Sequence, residues 1–284
     1  MYQPKYSLVM CTLGRDTVVR EFLDSLIVQT YKNFECIIVD QNPDNRLESI
    51  VSGYSNKFEI KHIRSNVKGL SINRNLGVAA STGQIIAFPD DDCQYLETTL
   101  ADVLELFKQS EADIININIR GIGTDHYFIG NKGALQINRY NYRPYGISIC
   151  IFIAYKSKDD VRLDERLGAG QYFGADEESD LLSSLLEKGY KAEYHGDKYV
   201  RHPAGTSHVP ADKLEQRYRS YGLGYGALLK KEIFLRHKYR MIWMFGKDTI
   251  GRFIGGCLPV KKRKLYMISA IARIRGFIEY KIEE

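Results

Sequence analysis

Residues 83–93 read GQIIAFPDDDC: a short apolar run from Gln84 to Pro89 that ends directly in three carboxylates, Asp90, Asp91 and Asp92. The run has the composition and turn-bounded length of a strand. Three adjacent carboxylates repel one another and stabilise no fold by themselves, so a divalent cation is a good physical reason for the cluster. Mg2+ or Mn2+ held through one or two of them would keep coordination sites free for the phosphates of a ligand. The competing reading is a solvated turn or the N-cap of a helix.

Working outward, residues 6–11 (YSLVMC), 34–40 (FECIIVD), 59–64 (EIKHIR) and 113–119 (DIININI) are further strand-like runs. Between them Val18, Phe22, Leu23, Leu26 and Ile27 fall on one helical face, and Leu100, Val103, Leu104 and Phe107 repeat that spacing. Strands alternating with helices predict an α/β fold with a mainly parallel sheet flanked by helices and joined by right-handed crossovers. Ligands collect beyond the carboxyl ends of such strands, so Thr12, Asp40 and the Asp90 turn should converge on one crevice. Residues 121–146 dissolve into Gly, Asn, Tyr and basic residues and read as a substrate-facing excursion. A strand follows over 147–155. A Gly-rich loop then leads to a helix near 177–188, closed by Gly189. Asp176, Glu177, Glu178 and Asp180 crowd its entrance, where the helix dipole stabilises carboxylates, and Asp180 is expected to cap the helix.

The chain has 284 residues, 44% of them hydrophobic and 26% charged, enough to bury a full core. Its net charge of +5 hides an asymmetry, with residues 1–200 summing to −6 and residues 201–284 to +11. The basic end is suited to nucleic acid, an anionic membrane surface or a phosphorylated carrier. Within it, Leu265, Ile268, Ala272 and Ile278 are expected to share one apolar helical face flanked by Lys and Arg, the pattern of an interfacial segment; a helix packed on the rest of the protein is the alternative. Trp243 and the tyrosines at 218, 221 and 225 suit either an acceptor groove or core and helix packing. Five scattered cysteines without a CxxC pair predict a reduced, cytoplasmic setting. The first residues, MYQPKYSLVM, carry no secretory pattern, and no apolar run reaches the roughly 18 residues of a spanning helix.

The segment NVKGLSINRNLGVAASTG, residues 66–83, sets Arg74 on a helix behind a Gly-containing loop, a favourable place for an anion. Gly69, Gly77 and Gly83 permit close backbone approach. Taken alone, this segment is equally a packing helix. YSLVMCTLGR, SLIVQTYKNFECIIVDQNPDN, this segment, IIAFPDDDC and GADEESDLLSSLLEKGYK nevertheless occur in the order and approximate spacing of family 2 glycosyltransferases, and over residues 5–205 the chain resembles that family. The resemblance implies a GT-A fold and an inverting, metal-dependent transfer of a hexosyl or N-acetylhexosaminyl group from a nucleotide sugar to a glycan or lipid-linked acceptor, in polysaccharide or glycoconjugate biosynthesis. It implies that Thr12 and Asp40 meet the nucleotide base and Arg74 the nucleotide or diphosphate. Asp90 and Asp92 match the ends of the family's DxD, with Asp92 the direct metal ligand, Asp90 nearer the ribose or sugar, and Asp91 between them. The acidic cluster matches the family's catalytic base motif in an EE form, with Glu178 at the base position and Glu177 its rival. His202 in YVRHP is a candidate third ligand or diphosphate contact, against a structural role.

The chain departs from the family's pattern at Gln41, where many members have a second acidic residue, and at Cys11-Thr12-Leu13, where Pro-x-Tyr is common. UDP-sugar is the default donor, with GDP- and dTDP-sugars open. Two rivals stand beside this reading. A sugar-nucleotide pyrophosphorylase would need a Gly-rich basic loop after the first strand, where TLGRDTVV supplies one Gly and one Arg. A non-catalytic protein binding anionic membrane or nucleic acid would use the basic tail, although no nucleic-acid-binding signature is present and no nucleic-acid partner is expected. The expected organisation is a catalytic domain over 1–205 and a basic helical appendage over 206–284, in the cytoplasm and peripheral at the inner face of the cytoplasmic membrane.

Overall fold

The computed structural model describes residues 3–130, 133–203 and 210–282. Two compact units are present: Met1–Lys68, Ile72–Arg162 and Leu181–Ala204 form the first, and Gly69–Ser71, Leu163–Asp180 and Gly205–Glu284 the second. The expected boundary at 205/206 falls outside the described residues.

The first unit is built on one eight-stranded sheet: β1 (Tyr6–Thr12), β2 (Phe34–Asp40), β3 (Glu59–Arg64), β4 (Ile85–Ala87), β5 (Ile114–Gly121), β6 (Ala134–Ile137), β7 (Ile151–Ala154) and β8 (Ala192–His202). Their order is β3-β2-β1-β4-β7-β5-β8-β6. The pairs among β3, β2, β1 and β4 are parallel, as is β5 with β8, while β7 and β6 run antiparallel to their neighbours. β1 and β2 are buried along their whole length, as continuous apolar runs inside a parallel sheet should be. β3 lies at the edge and is half-exposed, with Glu59 and Lys61 on it; charges there discourage further strand pairing. Helix α1 (Thr17–Ile27) buries Phe22, Leu23 and Leu26 as their spacing predicts, but Val19 is buried in place of Val18, and Ile27 is exposed. α4 (Thr99–Gln109) buries Leu100, Val103 and Leu104 of its expected face, with Phe107 partly buried. Val19, Phe22, Leu23, Leu26, Leu100 and Val103 join Leu8, Met10, Ile38 and Phe152 in the core. α2 (Glu48–Tyr54) and α3 (Leu70–Ala80) complete the β1-to-β4 crossovers.

Close approach at Gly77 is to the sheet: a Cβ there would lie 2.3 Å from Val9 Cγ1. Its absence lets α3 rest directly on β1. Glu35 of β2 is buried yet charged. Lys61 Nζ lies 2.6 Å from its Oε2, Ser7 Oγ donates to Oε1 at 2.6 Å, and the Thr82 amide donates at 2.6 Å. Burial alone would raise its pKa, but these donors outweigh it and hold the carboxyl well below its usual range.

Three expectations need correction here. The stretch 121–146 is not wholly irregular, because β6 lies within it and pairs with β8; residues 131 and 132 lie outside the described residues. The strand expected over 147–155 begins late, after a 3-10 turn at Ser148–Cys150. β8 itself was not anticipated.

The second unit contains α6 (Ala211–Lys230), a π-helical turn (Lys231–Leu235), α7 (Arg240–Cys257) and α8 (Arg263–Glu279), together with the loop 163–176 and the start of α5 (Glu177–Glu187). α6 and α8 pack backbone to backbone: a Cβ at Gly226 would lie 2.1 Å from Arg273 O, and one at Gly276 2.1 Å from Leu223 O. α8 therefore buries the small residues Ser269, Ala270, Ala272 and Gly276, with Arg273 beside them. Leu265, Ile268, Ala272 and Ile278 do not share a face. Thirteen residues at 100° each put Ile278 about 140° from Leu265, and Ile278 is 66% exposed while Ala272 is buried. Trp243 belongs to no core either, being 78% exposed. Tyr225 does pack between helices, with the Arg273 guanidinium 4.0 Å from its ring centroid and a hydrogen bond to Asp248 at 3.1 Å. No helix among the described residues is long and apolar enough to cross a membrane.

Candidate active site

Parallel register sets the first half of the site. Thr12 and Asp40, the last residues of β1 and β2, are direct neighbours, and Cys11 bridges to Asp90 just beyond β4. The Asp-rich turn therefore lies at the carboxyl ends of three adjacent strands, the place a parallel sheet offers a ligand. His202, the last residue of β8, completes the group: among the described residues Asp90, Asp92 and His202 each offer a ligand atom, all within 4.8 Å of one another. Two carboxylates and an imidazole are a donor set suited to Mn2+ and tolerable to Mg2+.

Each carboxylate of the turn has its own neighbours. Asp92 Oδ1 lies 3.2 Å from His202 Nε2, and Asp90 Oδ2 lies 3.9 Å from the same nitrogen. Arg15, on the loop after β1, spans Asp91 and Asp92 with one nitrogen: Nη1 is 2.6 Å from Asp91 Oδ1 and 2.6 Å from Asp92 Oδ2. Thr12 Oγ1 donates to Asp91 Oδ2 at 2.6 Å. Arg74, almost wholly buried on α3, donates through Nη2 to Asp90 Oδ1 at 3.1 Å and to Ser148 Oγ at 2.9 Å.

The electrostatics follow from these contacts. Burial pushes the Asp92 carboxyl up, but His202 and Arg15 outweigh it and bring the group down to about 2. Burial dominates at Asp91, which is raised despite the Thr12 hydrogen bond and the Arg15 charge. Burial would lower His202, yet its hydrogen bond to Asp92 and the charges of Asp92 and Asp90 raise it. The turn is thus neutralised by Arg15, His202 and Arg74, cations whose place a metal ion or a phosphate-bearing ligand competes for.

Asp40 is fully buried. Its Oδ1 accepts from the Asn42 amide at 2.8 Å and from Asn42 Nδ2 at 2.7 Å, while its Oδ2 lies 2.9 Å from His62 Nε2 and 3.4 Å from Arg64 Nη1. Four groups fix its orientation in the β2 crevice. Gln41 is also nearly buried, its amide donating to Thr12 O at 3.0 Å.

In the second unit, Asp176 adopts a left-handed backbone, φ 67°, immediately before α5. Glu177 is buried with its carboxylate against Gly168, where a Cβ would lie 3.1 Å from Glu177 Oε2. Gly168 itself has φ 97°. Burial raises the Tyr221 hydroxyl pKa, and the charges of Glu178 and Glu177 add to the effect, so this α6 side chain shares the field of the two glutamates. Asp180 does not serve as a simple cap. It is buried and clamps two cations, with Lys231 Nζ at 2.6 Å and Arg236 Nη2 at 2.7 Å. Asp164 accepts from the same Lys231 at 2.8 Å, and Glu232 pairs with Arg236 and with fully buried Lys238 at 2.5 and 2.7 Å. Asp180, the fourth residue of α5, thus points into a buried ion network, where pairing is obligatory.

Arg15, Ser148, Asn42, His62 and Arg64 were missed by sequence reasoning. Arg15 alone left a signal: it is a cation directly after β1, beside a strand whose end carries three acids.

The profile of "Glycosyl transferase family 2" matches residues 7–157. A poly(ribitol-phosphate) beta-N-acetylglucosaminyltransferase, TarS of Staphylococcus aureus strain Mu50, is 26% identical over 122 residues, which is 42% of this chain and 21% of TarS. The chain therefore aligns with about a fifth of that relative's length. In structure, S. aureus TarS 1-349 superposes with a TM-score of 0.71 at 18% identity, covering 97% of this chain and 81% of that one. The complex of the same protein with UDP-GlcNAc gives 0.60 at 18% identity, covering 96% and 89%. The mannosyltransferase PcManGT of Pyrobaculum calidifontis, in complex with GDP-Man and Mn2+, gives 0.65 at 13% identity, covering 98% and 87%. These likenesses show a shared GT-A fold. Since the family profile runs from the start of β1 through the Asp-rich turn to just past β7, the chain belongs to glycosyl transferase family 2.

Proposed function

We propose that the protein is a glycosyltransferase that moves a sugar from a nucleotide sugar, UDP-linked by default, to a hydroxyl of a glycan or lipid-linked acceptor with inversion. The observation that carries the reading is the Asp90, Asp92 and His202 group at the carboxyl ends of the strands of a family 2 sheet. UDP-GlcNAc and GDP-Man complexes of proteins with this fold support a nucleotide-sugar donor, and the Mn2+ in one of them supports a divalent ion.

Asp92, Asp90 and His202 would hold Mn2+ or Mg2+. When bound, the ion neutralises the diphosphate and stabilises its departure. The protein's own groups do the rest. Arg74 is a positioning residue that holds Asp90 in place, and Arg15 supplies a half-exposed positive charge beside Asp91 and Asp92. Thr12 and Asp40 line the nucleotide side, with Asp40 held in orientation by Asn42, His62 and Arg64. Glu178 takes the proton of the acceptor hydroxyl as that oxygen bonds to the anomeric carbon and the bond from that carbon to the phosphate oxygen breaks, releasing the nucleoside diphosphate. Glu177, buried against Gly168, keeps the loop before α5 in order.

The test is a panel of sugar nucleotides assayed for slow hydrolysis and thermal stabilisation with Mn2+ and with EDTA. One donor should be turned over or bound in Mn2+ alone, and Asp92→Ala should abolish the metal dependence. A chain indifferent to every sugar nucleotide, or one that binds its donor equally in EDTA, overturns the reading.

A further inference from the structure

The second unit exposes apolar surface that its own core does not need. α7 turns Met241 and Thr249 inward, and on its opposite side Trp243, Ile250 and Ile254 are 78%, 59% and 53% exposed. At positions i, i+7 and i+11 they fall within a sector of about 40°. α8 buries its small residues and leaves Ile271, Ile274 and Ile278 exposed within a sector of about 60°. Leu258 and Val260, between the two helices, are exposed as well.

Charge says what covers this surface. From Thr249 to Ile278 six cations reach the surface (Arg252, Lys261, Lys262, Arg263, Lys264 and Arg275), a seventh, Arg273, is buried, and there is no Asp or Glu. Lys261 to Lys264 are all exposed and directly follow the apolar turn at Leu258 and Val260. A two-fold contact with a second copy would gather both sets of cations in one interface without a compensating acid in this stretch. Nucleic acid would satisfy the cations but leave the isoleucines and Trp243 in water. A lipid surface with anionic headgroups answers both features, taking the apolar side chains to the acyl boundary and the cations at the phosphates.

We propose that α7, α8 and the turn between them dock the protein peripherally on an anionic lipid surface, with Trp243, Ile250 and Ile254 entering the interface and Lys261, Lys262 and Arg263 engaging headgroups. The proposal stands independently of the transfer reaction, because no donor is required to test it. Trp243 is the chain's single tryptophan, so its emission reports the docking face without any substitution. On titrating the full chain with phosphatidylglycerol-containing vesicles, the emission should shift to the blue and be quenched by brominated acyl chains. Pure phosphatidylcholine vesicles should do neither, and salt should reverse the effect. Lys261→Gln, Lys262→Gln and Arg263→Gln combined should weaken binding roughly 100-fold, about fivefold per charge. Unchanged emission with anionic vesicles overturns the proposal. So does a blue shift that rises with protein concentration in the absence of lipid, which would assign the face to a second copy, or tight duplex-DNA binding that leaves Trp243 unquenched.

Discussion

Two clusters of acids in this molecule are made from the same residue types and behave oppositely. At the Asp90–Asp92 turn each carboxylate is balanced by cations from other segments, and the turn remains partly open: Asp90 keeps 39% of its side chain exposed, and Arg15, its neighbour across Asp91 and Asp92, 47%. In the Asp164, Asp180 and Glu232 network the partners are buried, Lys238 and Glu232 completely so. An exposed pair held by a long, solvated arginine is worth little and exchanges easily. A buried pair is held because breaking it strands a charge in the interior. The first arrangement accepts a ligand, and the second refuses everything but its own partners.

The largest expected effect comes from breaking the second cluster. Asp180→Ala should destabilise the protein by about 3–5 kcal/mol, since Lys231 and Arg236 would lose a buried partner. Asp92→Ala, by contrast, should leave the ligand-free protein within about 1 kcal/mol of the parent, because its half-exposed partner Arg15 is taken up by solvent once the carboxylate is gone. Thermal and urea denaturation of both variants make the comparison. An Asp92→Ala protein as unstable as Asp180→Ala would mean that the turn is structural.

Next in size is the proposed base. Glu178→Gln keeps shape and hydrogen bonding while removing basicity, so transfer should fall roughly 100-fold or more with donor affinity unchanged. Glu177→Gln should act more mildly, through the loop at Gly168. Rates and donor affinities measured side by side decide the assignment: full activity in Glu178→Gln with loss in Glu177→Gln moves the base by one residue.

The smallest effect is a pH dependence that belongs to neither cluster. Glu35 has its folded-state pKa held below the usual range, so its stabilisation is complete above the unfolded value of about 4.3 and is lost as pH falls below it. Unfolding free energies from denaturant titrations taken stepwise into acid should fall with a slope approaching about 1.4 kcal/mol per pH unit from this group. In Glu35→Gln that portion of the slope should vanish. An unaltered acid profile would show that Lys61, Ser7 and Thr82 do not hold the charge as described.

The sequence disclosed what periodicity and motif order can carry. β1, β2 and β5 were legible because they are short, mostly apolar or β-branched runs bounded by polar or Gly-containing turns, and α1 and α4 because their buried residues repeat at helical spacing. β8 was not, since AEYHGDKYVRH alternates burial with polar residues and its register against β5 shifts between Ile117 and Asn118, which breaks the period of two. β6 is four residues long and mostly unburied, too little to stand out from loop. In the site, Asp90, Asp92 and His202 could be nominated by residue type, but Arg15 could not be ranked. Its partners are 76 and 77 positions away, and only the fold makes them neighbours. The exposed face of α8 was misread for a related reason: with a glycine seam between α6 and α8, the small residues are buried and Ile271, Ile274 and Ile278 are left outside.

Gly77 has a consequence for how variants of this protein will present. It lies three positions after Arg74 on the same helix, and its missing Cβ is what lets that helix rest against Val9 and Val39. A bulkier residue there touches no substrate. By lifting α3 it would carry Arg74 away from Asp90 and Ser148, so a screen scored on activity would class it with the active-site lesions. A pedigree of inactive alleles will therefore map part of the hydrophobic floor as though it were chemistry, and loss of function at this position is a report on clearance between a helix and a strand.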